Sequence, residues 1–280
     1  FAFFVSNILG LSEWETGTAG MNALVTGAIW HETLAAFLGR YRGKQLTLSQ
    51  RDRYEKELKQ MLAITVAGLE KQGKIVPDVW WKYEKPLIEN AMESWLDAEL
   101  ASQQKLTIVP AFFEWGFGLK SGTGCDPASV ANPLILGPAG REVRLQGKID
   151  RIDKTDNGVR VVDYKTGRAP ARKQVEQGLR LQIPVYMMAV ANLLGAADIS
   201  GEYLPVGHPF SSVVLPDKKC SLQDLFDATA HYVSEYVAGI RSGAFAPNPA
   251  AACPDYCTAR KFCRRVGELD GDRVEEFLDE

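Results

Sequence analysis

A chain of 280 residues can bury one good core or two small ones. At 46% hydrophobic and 24% charged residues it reads as soluble and globular, and a net charge of −3 excludes a binder that relies on a global basic surface, though not one with a local groove. The longest apolar run, Ile183 to Ala197, contains Pro184, Asn192 and Gly195 and is too short to span a membrane, so it reads as a buried helix; no signal peptide is evident. In chain order, Phe1 to Leu11 is apolar at helical spacing and runs into a Gly-containing loop. Thr26 reads as the cap of a helix through Tyr41. Helical stretches follow over Leu48 to Lys71 and Val76 to Gln103, the second with Trp80, Trp81 and Trp95 as core aromatics. Strand signals occupy Leu106 to Leu119 and Val143 to Lys165, around a turn-rich insertion from Gly116 to Gly140. A helix near Gln174 to Leu194 comes next, then strands near Gly201 to Val206 and Ser212 to Leu215. A last helix, Leu222 to Ser242 with Ser221 as N-cap, precedes a Pro- and Cys-rich tail. This order predicts an α/β fold of helices packed around a small central sheet.

The segment Gly147-Lys-Ile-Asp150-Arg-Ile-Asp153, then Asp156-Asn157-Gly158, then Val161-Val-Asp163-Tyr-Lys165 carries the chemistry. Asp-Asn-Gly between two β-branched runs signals a hairpin, because Asn and Gly tolerate the positive φ of tight turns. Side chains alternate along a strand, so Asp163 and Lys165 share a face with Val159 and Val161. Pairing across the turn brings Asp150 opposite Asp163 or Lys165, depending on register. Three ionisable groups on one face are costly unless a metal, water or partner charge compensates them. Two carboxylates and a lysine so arranged can bind a divalent metal and cut a phosphodiester. Lys148, Arg151, Arg168, Arg172 and Lys173 lie around the hairpin and are candidate DNA contacts.

These motifs resemble the core of PD-(D/E)XK nucleases of the RecB/AddB type, and the resemblance covers nearly the whole chain. Gly27-Ala-Ile-Trp-His31 resembles the family's N-terminal Gly-x-x-x-His, which implies His31 as a metal ligand. Glu114, on the strand before the hairpin, stands at the place of a family acidic residue, and Gln182-Ile-Pro-Val-Tyr186 resembles the Gln-x-x-x-Tyr helix motif. The resemblance implies a restriction-endonuclease-like core with an N-terminal helical extension. Its expected parts are 1–105, carrying His31, then 106–245 as the nuclease core and 246–280 as a Cys-rich tail, all one integrated domain. It implies Mg²⁺ or Mn²⁺ held by Asp150, Asp163, His31 and Glu114, with imidazole suiting manganese somewhat better. Lys165 is then catalytic beside Asp150 and Asp163, with Gln182 and Tyr186 positioning the DNA strand and the site.

Cys253-Pro-Asp-Tyr-Cys257 and Cys263 place three thiols in the tail. In what reads as an intracellular chain they suggest a metal site, and zinc and iron–sulfur both accept thiolates. The family resemblance implies a [4Fe–4S] staple whose fourth cysteine lies upstream of Phe1-Ala-Phe-Phe4; on this expectation the chain is a piece of a longer protein. Cys125 and Cys220 match no family position and read as free thiols. The expected activity is that of a metal-dependent deoxyribonuclease, exonuclease before endonuclease. The expected setting is an AddB-like helicase–nuclease protein of the bacterial cytoplasm. Its expected partners are DNA and a second helicase–nuclease chain, with no membrane. Alternatives are a free-standing RecB-like exonuclease of the CRISPR spacer-acquisition type and a non-catalytic DNA-binding module.

Overall fold

The structure, a computed structural model, describes residues 4–10, 23–76, 79–119, 124–207 and 210–246. Cys253, Cys257 and Cys263 lie outside the described residues. The chain divides into two compact units, one formed by residues 1–18 with 235–280 and the other by residues 19–234. In the first, Phe4 stacks on Phe245 with ring centroids 5.3 Å apart.

The second unit opens with three helices, α1 (Ala23–Gly39), α2 (Arg51–Lys71) and α3 (Val79–Leu106). Helix α1 buries Ile29, Trp30, Thr33, Leu34, Phe37 and Leu38, a stripe two residues wide that returns every fourth residue. Tyr54, Leu58, Leu62 and Val66 of α2 and Met92, Trp95, Leu96 and Leu100 of α3 close on it. Helix α1 begins before Thr26, which therefore lies inside the helix rather than capping it. A short 3₁₀ turn at Leu48–Gln50 precedes α2.

Five strands form one mixed sheet in the order β1 (Val109–Phe117), β4 (Gly147–Thr155), β5 (Gly158–Lys165), β6 (Ile199–Pro205), β7 (Val213–Leu215). Among these strands β5 and β6 pair in parallel and the other neighbours antiparallel. Between β1 and β4, a two-stranded ribbon of β2 (Leu134–Leu136) and β3 (Val143–Leu145) interrupts what the sequence presents as loop. Parallel pairing requires a crossover, supplied by α4 (Arg172–Glu176) and α5 (Gln182–Leu194). The continuous helix expected over Gln174 to Leu194 is broken at Gly178, whose φ of +73° leaves the helical region. Pro184 falls in the first turn of α5, where the backbone N–H it lacks would have no helical partner.

Helices α1–α3 cover one face of the sheet, against Phe113, Val162, Tyr164 and Val206. Helix α5 and the N-terminal turns of α6 (Leu222–Ser242) cover the other, against Trp115, Phe117, Ile149, Ile152 and Val161. The expected cap of α6 is present in reciprocal form. The Asp224 N–H donates to Ser221 Oγ and the Ser221 N–H donates to Asp224 Oδ2, each at 3.1 Å. A mixed central sheet flanked by helices is the architecture the sequence predicts.

Candidate active site

The β4–β5 hairpin pairs Arg151 with Val162 and closes at Thr155 and Gly158, which brings Asp150 level with Asp163. In the turn the positive φ falls on Gly158 alone, at +147°, and a Cβ there would lie 2.1 Å from the Asp198 carbonyl oxygen. Along β5, Val161 enters the α5 core while Val162 and Tyr164 enter the helical core. By alternation Asp163 and Lys165 face the α5 side.

The two neighbouring strands break this alternation at the level of the site. Phe113 lies in the α1–α3 core, yet Trp115 and Phe117 lie in the α5 core. On β4, Ile149 and Ile152 both join the α5 core, while Arg151 turns to Glu99 of α3. The pivot on β1 is Glu114, a non-glycine residue at φ +53°. Such a conformation costs on the order of 1 kcal/mol or more and persists where the surroundings impose it. Three carboxylates, Glu114, Asp150 and Asp163, thus stand in a row on three adjacent strands.

His31 reaches this row from the edge of the buried stripe of α1. Its Nδ1 lies 3.2 Å from Asp150 Oδ1 and 3.9 Å from Glu114 Oε1, and its ring meets the edge of Tyr164. Ligand atoms of His31, Glu114 and Asp150 all lie within 4.8 Å of one another. Asp150 Oδ2 accepts the Tyr164 N–H at 2.8 Å, which fixes its carboxylate. Lys148 pairs with Glu114 Oε2, and Lys165 pairs with Asp163 Oδ2. Lys165 Nζ also donates to Gln182 Oε1 at 3.0 Å and stands 5.6 Å over the ring of Tyr203; Gln182 in turn donates to the Tyr186 hydroxyl at 3.2 Å.

The electrostatics are those of crowded acids. Burial, then the charge of Asp150, pushes Asp163 up to about 6, against the pull of Lys165. Burial also raises Glu114, against Lys148. Burial disfavours the His31 imidazolium, but the hydrogen bond and charge of Asp150 outweigh it and raise His31. Burial pushes the Tyr186 hydroxyl up to about 12, so it is a hydrogen-bonding group near neutral pH and not an acid. Glu114 Oε1 is buried without a hydrogen-bond partner. An oxygen-rich donor set with one imidazole and an unsatisfied carboxylate oxygen fits a divalent cation.

The basic residues divide. Arg168 and Lys173, with Arg180, line a cleft of about 850 Å³ that Lys165, Gln182 and Tyr203 also line. Arg172 is tied instead to the Val214 carbonyl and to Asp217. The expectation that Arg151 contacts DNA is corrected. Its side chain is fully buried and bonded to Glu99 and Asp153, with the Tyr164 hydroxyl 3.4 Å away. Asp153 further accepts from Arg160, which pairs with Glu202. Nothing in the sequence near Arg151 points to Glu99, 52 residues upstream.

A family model described as PD-(D/E)XK nuclease superfamily matches residues 1–264. Over 126 residues, 43% of this chain, the sequence is 45% identical to an ATP-dependent helicase/deoxyribonuclease subunit of Desulforudis audaxviator, covering 10% of that protein. Over 201 residues, 68% of this chain, it is 25% identical to the protein of the same name from Clostridium tetani, covering 16% of it. An uncharacterized protein of Rickettsia bellii is 30% identical over 113 residues, 39% of this chain and 13% of that one. The chain matches only a small part of the length of these relatives.

Proposed function

Because this chain belongs to the PD-(D/E)XK nuclease superfamily, we propose that it is a divalent-metal-dependent deoxyribonuclease domain in which Asp150, Asp163 and Lys165 carry phosphodiester hydrolysis. The observation that supports this most is the row of three carboxylates met by His31 from one helix and bounded by Lys165. Asp150, Asp163, Glu114 and His31 would hold Mg²⁺ or Mn²⁺. A cation bound there supplies Lewis acidity and makes a bound water more acidic. Asp150 is pre-oriented for this by the Tyr164 N–H. Lys165 is held by Asp163, Gln182 and the Tyr203 ring so that its ammonium stays beside the carboxylates, where it offsets negative charge gathering on the phosphoryl oxygens. Gln182 and Tyr186, one turn apart at the start of α5, keep that lysine aimed and offer polar contacts to a strand. The cleft lined by Arg168, Lys173 and Arg180 gives the sugar-phosphate backbone a basic path beside the site, local where the chain as a whole carries a net charge of −3.

The relatives' names favour an AddB-like setting, a helicase–nuclease chain that processes DNA ends as an exonuclease with a partner chain inside the cell. In that setting Cys253, Cys257 and Cys263 would contribute to a [4Fe–4S] staple. The test is cleavage of single- and double-stranded DNA with Mg²⁺ or Mn²⁺ by the parent chain, Lys165→Ala and Asp163→Ala. Cleavage should require the cation and fall by at least about a hundredfold in both variants, as on removal of one group stabilising transition-state charge. Persistence of cleavage in Lys165→Ala would remove the assignment.

A further inference from the structure

Two lysines bracket the acid row. Lys165 pairs with Asp163 on β5, and Lys148 pairs with Glu114 at the β1 end. Lys165 is also held by Gln182 and Tyr203, whereas Lys148 is about half exposed on a short tether to one carboxylate. Glu114 divides its oxygens between two roles: Oε2 meets Lys148, while Oε1 is buried, unpartnered and 3.9 Å from His31 Nδ1, on the cation side. The left-handed backbone at Glu114 holds this side chain at the junction.

Charge counting shows what the arrangement lacks. With a neutral imidazole, three carboxylates against two ammoniums leave a formal charge of minus one. A divalent cation turns this to plus one, and one phosphodiester returns it to zero. A cation that draws Glu114 toward itself also strips Lys148 of its partner, leaving an ammonium at the mouth of the site.

We propose that Lys148 couples cation binding to substrate binding: it neutralises Glu114 while the site is empty of metal, and passes to a non-bridging phosphate oxygen once a divalent cation takes Glu114. This rests on the nuclease reading of the same site. Lys148 is then a positioning residue for the phosphodiester, on the opposite flank of the acid row from Lys165, and Glu114 is the switch between them. The long, partly exposed lysine stem permits the move, since a point charge on four methylenes keeps its attraction for either anion.

The experiment measures Mn²⁺ affinity without DNA, from the free-Mn²⁺ spin-resonance signal. It also measures affinity for a hydrolysis-resistant phosphorothioate oligonucleotide with and without Mn²⁺, by fluorescence anisotropy. The parent is compared with Lys148→Met and Lys148→Arg. Lys148→Met keeps the apolar stem at a half-exposed position, where substitution is well tolerated. It should bind Mn²⁺ about threefold or more tighter, because a competing cation is gone, and lose about tenfold of the DNA affinity that Mn²⁺ adds. Lys148→Arg should keep most of that gain. If Lys148→Met leaves both quantities at parental values, or weakens Mn²⁺ binding, the coupling is overturned and Lys148 is only the partner of Glu114. A parent chain that binds neither Mn²⁺ nor DNA overturns the nuclease reading and this inference with it. A parent that cleaves DNA beside an indifferent Lys148→Met overturns the inference alone.

Discussion

At the scale of single residues, Asp163 shows that the site is built at the expense of stability. Its carboxylate is almost wholly buried beside Asp150 and titrates at about 6, against an ordinary value of 3.8. The folded state therefore holds the proton more tightly than the unfolded chain. Stability contributed by the protonated form is present below the unfolded value and is lost as pH rises from about 4 to about 6. A shift of roughly two units corresponds to about 3 kcal/mol, part of which Asp163→Asn forfeits by losing the Lys165 ion pair. The variant should be more stable than the parent by about 1–2 kcal/mol at pH 8 with a chelator present, a few degrees in Tm, and equal to it near pH 4. Thermal denaturation at the two pH values checks this; a lower Tm for the variant at pH 8 would mean that the lysine pair outweighs the burial. Arg151 teaches the opposite lesson about legibility. Beside Asp150 in a charged run it reads as a surface cation, and only the reversal of alternation on β4 sends it inward to Glu99. A guanidinium so enclosed is tolerable because Glu99 and Asp153 supply matched acceptors.

At the scale of elements, the close seating of α5 on β6 decides where Gln182 and Tyr186 stand. Gly201 makes that approach possible, since a Cβ there would fall 2.4 Å from Ile183 Cγ2 and 2.5 Å from Met187 Sδ. Gly201→Val should push α5 outward, cost about 1–3 kcal/mol by overpacking, and lower the cleavage rate by about tenfold or more through the displaced Gln182–Lys165 contact. Mn²⁺ affinity should hold, because His31, Glu114 and Asp150 belong to other elements. Unchanged cleavage with a destabilised fold would show that Gln182 does not need its present position. The hairpin was readable as an element, since Asp-Asn-Gly between β-branched runs has few other folded states. The break between α4 and α5 was not, because Gly178 is followed by an apolar run that continues the helical period. Nor was the flip at Glu114, for a single left-handed residue leaves no trace in hydropathy.

At the scale of the whole molecule, the site joins α1 to the first three strands of the sheet order, so a cation there fastens elements far apart in sequence. Binding to the folded state alone adds stability as ligand concentration rises above Kd, about 2.7 kcal/mol at a hundredfold excess. Mn²⁺ should therefore raise Tm over a chelator control, and His31→Ala or Glu114→Gln should shrink the shift. An identical Tm in Mn²⁺ and chelator would argue against a cation at this point. The net charge of −3 makes a second expectation at this scale intelligible: binding to DNA rests on a few cleft cations, so its salt dependence should be shallow for a nucleic-acid enzyme.

The sequence by itself determined the element types, the hairpin and the residues that meet in the candidate site: His31, Glu114, Asp150, Asp163, Lys165, Gln182 and Tyr186. It could do so because motif spacing and side-chain period are local properties of the chain. The tertiary structure alone decided which charges face the cleft and which are buried, that Glu114 stands between Lys148 and His31, and that Arg151 belongs to the core. Those outcomes depend on which residues distant in sequence arrive at the same depth, and burial, not residue type, sets whether a charge must find a partner inside the protein.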